Sequence, residues 1–431
     1  MQGLSRDAMA AGPMNADGTR VAVFGLGYVG LPVATVLAGR GFDVVGVDVS
    51  ETAVEMVNQG RVHIVEPDLD MLVNAAVSAG KLRATGSAEP ADIFVIAVPT
   101  PFKAGNEPDL SYIQAAVRAL APMLEKGNLV ILESTVPVGA TEQVSAWIRA
   151  ERPDLTVPEP TRESADVAVA HCPERVLPGN VLNELVNNDR IIGGITRNCA
   201  LEATRFYRSF VKAEIHVTDA RTAELVKLVE NASRDVSIAF ANELSVICEE
   251  LGVNVWEMID LANRHPRVNI LNPGPGVGGH CIAVDPWFII SAVGERARMM
   301  RCAREVNAAK PRHVVDKVKR AAGRFLDPQI ACLGLAYKAN IDDLRESPAL
   351  EIVRQLAAEQ VGTLHVVEPN LRALPSSLEA APNVVLSDLR DALAAADVVV
   401  LLVDHRQFSV LDADMLQEKV TIDTCGMLRR K

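Results

Sequence analysis

The stretch Val21-Ala22-Val23-Phe24-Gly25-Leu26-Gly27-Tyr28-Val29-Gly30 decides the fold of this 431-residue chain. Four apolar residues read as a short buried strand. Three glycines follow at G-x-G-x-x-G spacing, and Leu31 to Ala38 reads as a helix. Strand, glycine turn and helix in that order open a dinucleotide-binding unit. Gly25 makes the tight turn, Gly27 lets backbone approach a pyrophosphate, and Gly30 packs helix on strand. Asp43 to Val49 reads as the next strand and carries Asp48. Its carboxylate suits the two ribose hydroxyls of NAD and repels a 2′-phosphate, and no arginine follows it immediately, so NAD is expected over NADP. Two other readings exist. One is a glycine turn without a ligand. The other is a membrane helix, since Val21 to Gly39 has no charged side chain, but Gly25, Gly27, Gly30 and Pro32 make a poor span.

Outward from this motif the chain alternates strands and helices. Ala91 to Val98 and Asn128 to Glu133 are expected strands. Val217 to Leu251 has neither Gly nor Pro and is expected to be one long helix, capped by Thr218 or Asp219 and stopped at Gly252. Strands at Ile330 to Leu335, Thr363 to Val367 and Asp397 to Val403, with a helix near Ala349 to Glu359, announce a second α/β unit. The expected fold class is α/β, with two Rossmann-like doubly wound domains joined by a long central helix. The expected segments are an unstructured extension over 1–19, an NAD-binding domain over 20–215, a central helical dimerisation region over 216–315 and a second α/β domain over 316–431.

Hydrophobic residues at 49% and charged residues at 23% describe a globular chain. A net charge of −12 argues against a nucleic-acid partner, which needs a basic surface. Seven scattered cysteines, without a C-x-x-C pair, point away from zinc or a disulfide framework and towards a reducing cytoplasm. The first twenty residues do not read as a signal peptide.

Three further segments carry chemistry. Gly274-Pro275-Gly276-Val277-Gly278-Gly279-His280-Cys281 sets four glycines before a cysteine, with Asp285 close behind. Its backbone N–H groups suit an oxyanion while the Cys281 thiolate attacks; the alternative is a buried structural cysteine beside a turn. Lys227, Asn231 and Arg234 share one face of the expected long helix, as a site or as a solvated polar face. The charged loop from Tyr337 to Pro348 follows the first strand of the second unit, where α/β sheets bind ligands.

Together these segments resemble the UDP-glucose/GDP-mannose dehydrogenase family over about residues 20–431. The marks are GLGYVGLP at the start, VPTP at 98–101, STVPVG at 134–139, HCPERVLPGN at 171–180, the segment 261–288 and YKANIDDLRESP at 337–348. The segments at 171–180 and 261–288 resemble the branch acting on N-acetylmannosamine, and Val284 stands where the UDP-glucose branch carries Lys. The resemblance implies that Tyr28, Val29, Asp48, Thr100, Thr135 and Arg345 contact NAD. It implies that Arg175, Val176, Lys227, Asn231, Arg234, His265, Arg267, Gly278, Tyr337 and Lys338 hold a UDP-sugar, some of them from a second subunit of a homodimer. Asp423-Thr424-Cys425-Gly426 has cysteine where the family often presents Lys, which weakens a basic contact there.

The implied reaction is a four-electron oxidation of the UDP-N-acetyl-D-mannosamine C6 alcohol to the uronate with two NAD. Cys281 carries the thiohemiacetal and thioester, Lys227, Asn231 and Asp285 handle the proton and the oxyanion, and Glu174 or Asp285 activates the hydrolytic water. The alternatives are oxidation of another UDP-hexose or UDP-N-acetylhexosamine, such as UDP-GlcNAc or UDP-glucose, a two-electron hydroxyacid dehydrogenase, and a non-catalytic NAD-responsive scaffold.

Overall fold

The computed structural model describes residues 12–64, 66–103, 105–176, 179–279 and 281–430. Most of the expected N-terminal extension, together with His280, Leu177 and Pro178 of the motifs above, lies outside them. The described part is not detached: the Met14 N–H donates to the Arg205 carbonyl at 2.9 Å, and its side chain packs on the first core. The chain forms two compact units, one ending at Val229 and the other beginning at Glu230.

The first unit is an eight-stranded sheet. Its strands are β1 (Arg20–Phe24), β2 (Asp43–Val47), β3 (Leu82–Thr85), β4 (Ile93–Ile96), β5 (Leu129–Leu132), β6 (Ala168–His171), β7 (Arg190–Gly194) and β8 (Ile215–Asp219). The order is β3-β2-β1-β4-β5-β6-β7-β8, with every pair parallel except β6 and β7. Side chains alternate between faces along a strand. Val21 and Val23 therefore enter one apolar layer, while Ala22 and Phe24 enter the other. Burial on both faces explains why these strands read as continuous apolar runs.

The second unit holds β9 (Gln329–Leu333), β10 (Thr363–Val367), β11 (Val384–Leu386), β12 (Val398–Leu401) and β13 (Val420–Asp423), all parallel in the order β11-β10-β9-β12-β13. Ile330 and Cys332 face one core, Ala331 and Leu333 the other. The two units repeat a motif. Residues 21–30 read VAVFGLGYVG and residues 330–339 read IACLGLAYKA. Gly25 and Gly334 take positive φ of 88° and 96°, and each donates its N–H at 2.8 Å to the last residue of the neighbouring strand, Val47 or Val367. The next N–H, of Leu26 or Leu335, goes at 2.7 Å to the acid just beyond that strand, Asp48 or Glu368.

The long helix runs over Ala220–Leu251 and not from Val217. Residues 215–219 instead pair with β7 as β8, and the β-branched side chains of Ile215, Val217 and Thr218 suit a strand. Asp219 ends the strand and caps the helix, its carboxylate accepting from the Thr222 N–H at 2.9 Å and hydroxyl at 2.7 Å. The expected central region has no sheet of its own, and from Glu230 it belongs to the second unit. Among the described residues no helix is long and apolar enough to cross a membrane.

Candidate active site

In the first unit the expected cofactor residues gather at the carboxyl ends of β1, β2, β4 and β5, around the point where strand order reverses. The glycines divide their work as the motif requires. A Cβ on Gly25 would come within 2.8 Å of the Ala97 oxygen, and one on Gly30 within 1.8 Å of the Gly25 oxygen. A Cβ on Gly27 would meet nothing within 4 Å, so that backbone stays open to a ligand. Asp48 stands beside the turn, accepting from the Leu26 and Ser50 N–H groups at 2.7 and 2.9 Å. Tyr28 is exposed and Val29 half-buried next to it. The Thr100 hydroxyl donates to the Thr135 carbonyl at 2.6 Å, joining the ends of β4 and β5. These residues fit a dinucleotide: an open backbone turn, an acid at the adjacent strand end and a polar rim.

Glu174, Arg175 and Val176 follow β6. Glu174 is buried; one oxygen accepts from Arg190 Nη1 at 2.6 Å and the other from the Arg175 N–H at 2.7 Å. Arg190 is buried too and lies over the Tyr207 ring, whose hydroxyl donates to Glu133 at 2.5 Å. Burial and the neighbouring Glu174 push the Glu133 carboxyl up to about 7. Burial also raises the Cys172 thiol to about 12, as expected of an inert cysteine. Sequence reading missed Glu133, Arg190 and Tyr207, because 74 residues separate Glu133 from Tyr207. Lys227 is half-buried on the long helix, and Glu224, one turn before it, is buried. The Glu224 carboxylate accepts from the Gly139 N–H at 2.6 Å and from the Thr141 N–H and hydroxyl at 2.7 and 2.6 Å, occupying the amino end of helix Ala140–Glu151.

In the second unit Cys281 is half-buried one turn ahead of helix Asp285–Val293. Its carbonyl accepts from the Val284 and Asp285 N–H groups at 3.0 and 2.8 Å. Asp285 is buried, and its Oδ2 accepts from Asn231 Nδ2 at 2.6 Å. The structure thus joins two predicted residues 54 positions apart beside the cysteine. Arg234 is exposed on the same helix.

The glycine loop corrects one sequence expectation. Two of its N–H groups are not available to an oxyanion: Gly274 donates to Asn242 Oδ1 at 2.8 Å and Gly279 to the Arg345 carbonyl at 3.1 Å. Its glycines answer to close packing. A Cβ on Gly278 would come within 2.5 Å of the Glu346 oxygen, and one on Gly279 within 2.8 Å of the Tyr337 ring. The Tyr337–Pro348 loop therefore lies directly against the cysteine loop. Lys338 is exposed on it, and Arg345 is held by Asp343 in a two-pronged ion pair at 2.6 Å. Glu368 and His405 anchor this loop from beneath: Glu368 accepts from Leu335 and Ala336, and His405 Nδ1 accepts from the Asn340 N–H.

His265 and Arg267 project from an exposed loop that Asn263 closes through both backbone groups of Ile270, at 2.7 and 3.0 Å. At the C-terminus Asp423 accepts from the N–H groups of Cys425, Gly426 and Leu428, and Arg429 lies 5.0 Å from the Trp256 ring centroid. All seven cysteines are free thiols. Among the described residues no group of three or more His, Cys, Asp and Glu is arranged to hold a metal ion.

Three domain models of one family match along this chain: the NAD-binding domain over 19–211, the central domain over 221–309 and the UDP-binding domain over 331–430. The chain belongs to the UDP-glucose/GDP-mannose dehydrogenase family. As a member it is an oxidoreductase with an NAD-binding and a UDP-binding domain. It is 64% identical over 415 residues to an NDP-N-acetyl-D-galactosaminuronic acid dehydrogenase of Ralstonia nicotianae, spanning 96% of this chain and 97% of that one. It is 54% identical over 419 residues to a UDP-N-acetyl-D-mannosamine dehydrogenase of Salmonella typhi, spanning 95% and 99%. A solved UDP-D-ManNAc dehydrogenase from Pyrococcus horikoshii superposes with a TM-score of 0.85 at 38% identity, over 96% of this chain and 97% of that one.

Proposed function

We propose that this family member is a cytoplasmic homodimer that oxidises the C6 alcohol of UDP-N-acetyl-D-mannosamine to the uronate. The observation that carries the reading is the Asn231–Asp285 hydrogen bond at 2.6 Å, which sets a carboxamide and a buried carboxylate four residues from Cys281. The reaction consumes one alcohol, one water and two NAD, and yields the acid, two NADH and two protons. Bound NAD supplies the hydride acceptor, held by the glycine turn, Tyr28, Val29, Asp48, Thr100, Thr135 and Arg345.

The chain's own residues do the rest. Lys227, or a water held by Asp285 and Asn231, removes the C6 hydroxyl proton as the first hydride leaves C6 for the acceptor, which gives the aldehyde. The Cys281 sulfur bonds to the aldehyde carbon, so the reactive aldehyde is retained as a thiohemiacetal whose oxyanion Lys227 and Asn231 stabilise. Loss of a second hydride from that carbon, to the second NAD of the overall reaction, leaves the thioester. A water beside Glu174 or Asp285 then breaks the C–S bond of the thioester, and sulfur leaves as thiolate. Arg175, Val176, Arg234, His265, Arg267, Gly278, Tyr337 and Lys338 hold the sugar nucleotide, the cations facing its diphosphate.

A second reading has its own support. The 64% identity to the galactosaminuronic acid dehydrogenase favours an N-acetylgalactosamine substrate, which differs in the direction of ring hydroxyl and acetamido groups. A panel of UDP-N-acetylmannosamine, UDP-N-acetylgalactosamine, UDP-N-acetylglucosamine and UDP-glucose with NAD decides between them, scored by kcat/KM and NADH formed per substrate. One NADH per substrate would replace the four-electron reading with the two-electron one.

A further inference from the structure

The long helix holds the cysteine segment at two places, and the assigned roles account for only one. Asn231 holds Asp285, four residues after Cys281, and Asn242 holds the Gly274 N–H, seven residues before it. Eleven residues separate the two asparagines, about 16 Å along a helix at 1.5 Å per residue, and both fall on the same face.

Asn242 is itself held by a chain of hydrogen bonds with one direction. Arg304 Nη1 donates to Asp235 Oδ1 at 2.7 Å. Asn307 Nδ2 donates to the same oxygen at 2.8 Å, which leaves Asn307 Oδ1 to accept from Asn242 Nδ2 at 2.9 Å. Asn242 Oδ1 is thereby turned towards Gly274, accepting its N–H at 2.8 Å. A carboxamide has donors at one end and an acceptor at the other, so reversing either asparagine would break bonds on both sides of it. The fixed Arg304–Asp235 charge pair sets the polarity, and the cysteine loop is where the chain ends.

Stability alone does not explain this arrangement. Asp235 and Asn242 are wholly buried and Asn307 nearly so, while Asp235 Oδ2 and Arg304 Nε are buried with no protein partner. Apolar side chains of similar volume often serve a core as well or better than such a network. What they cannot supply is an acceptor aimed at one backbone N–H.

We propose that Asn242 is a positioning residue for Cys281, set by Asn307 and the Asp235–Arg304 pair. The inference rests on the reading of Cys281 as nucleophile. Asn242→Leu keeps the branched shape of the side chain and removes both polar ends. With NAD and the preferred UDP-N-acetylhexosamine it should lower kcat by about tenfold or more, while KM and the Kd for UDP stay within about threefold. Iodoacetamide alkylation of Cys281, followed by mass spectrometry across pH, should shift its profile.

Asn242→Asp supplies a test that a purely structural role would not move. As a neutral acid it restores both the donor to Asn307 and the acceptor for Gly274; ionised, it loses the donor. Its kcat relative to the unmodified enzyme should therefore rise as pH falls, and this variant decides the matter if the leucine variant fails to fold. A leucine variant with kcat within twofold and an unchanged alkylation profile would overturn the inference, as would a flat pH ratio for the aspartate variant. If the unmodified enzyme oxidises no UDP-sugar, the functional reading fails, and the alkylation profiles still decide the role of Asn242.

Discussion

Cys281 and Asp48 are the residues at which the proposed chemistry is most exposed to test. If Cys281 carries the thioester, Cys281→Ala should lose net turnover or stop at the aldehyde, while UDP and NAD binding survive. The loss should span several powers of ten, the scale of a removed covalent catalyst. Cys332, wholly buried with its thiol raised by burial to about 12, is the control: Cys332→Ala should cost stability and little activity at permissive temperature. Two NADH per substrate from Cys281→Ala would end the covalent mechanism. Asp48→Ala tests cofactor choice. It removes the repelling charge and also the acceptor for Leu26 and Ser50, so the NAD over NADP preference should narrow while affinity for both falls. Equal kcat/KM of the unmodified enzyme with NADP would contradict the assignment. Both residues stand out in the chain alone as candidates because their surroundings are local: a glycine turn and the strand end beside it, or a glycine run and the cysteine after it.

At the scale of the element, the long helix presents two unlike faces. Leu225, Val229, Phe240, Ile247 and Leu251 are exposed, Phe240 at 52%. At 100° per residue all five fall within an arc of about 80°. Asn231, Asp235, Asn242, Ser245 and Glu249 lie on the opposite side, where polar groups pack against helix Arg298–Ala322. Asn242 meets Asn307, Ser245 accepts from Lys310, and Glu249 meets His313, Lys317 and Arg320. This exposed stripe, apolar except at Ser233 and Glu243, needs cover, and a second copy of the same helix is the proposed cover. Sedimentation at micromolar concentration should give a dimer, and Phe240→Glu with Ile247→Glu should give a monomer. A monomeric unmodified protein would contradict the assembly. The stripe's length was readable from the absence of Gly and Pro, but its outward orientation was not. Amphipathic periodicity says that one face is apolar and leaves open whether a core or a partner covers it. The first turn was misread for a related reason: Ile215 to Asp219 suits strand or helix locally, and pairing with β7 decides it.

At the scale of the whole molecule, stability should record a cluster that no local pattern announces. Glu133, Cys172, Glu174, Arg190 and Tyr207 come from four separate stretches and meet only because β5, β6 and β7 are neighbours in the sheet. The sequence distances, and the antiparallel β6–β7 pairing, kept this cluster out of any reading by spacing. Its consequence is a pH dependence with a definite sign. Glu133 titrates near 4.5 when unfolded and is raised to about 7 when folded, chiefly by burial. Between those values the folded state holds a proton that the unfolded state has released, so stability falls as pH rises through that window and then levels off. His171, also buried, acts the other way. Burial lowers it to about 3, so stability is lost as pH drops below its unfolded value of 6.5. His171 contributes equally to the unmodified protein and to a Glu133 variant, so the difference between the two isolates Glu133. Glu133→Gln keeps the shape and an acceptor for the Tyr207 hydroxyl, and it cannot ionise. Its melting temperature should match the unmodified protein near pH 4.5, where Glu133 is still largely protonated, and exceed it at pH 8. A variant less stable at pH 8 than at the lower pH, each relative to the unmodified protein, would mean that Glu133 is held ionised in the fold, with Arg190 serving two carboxylates at once.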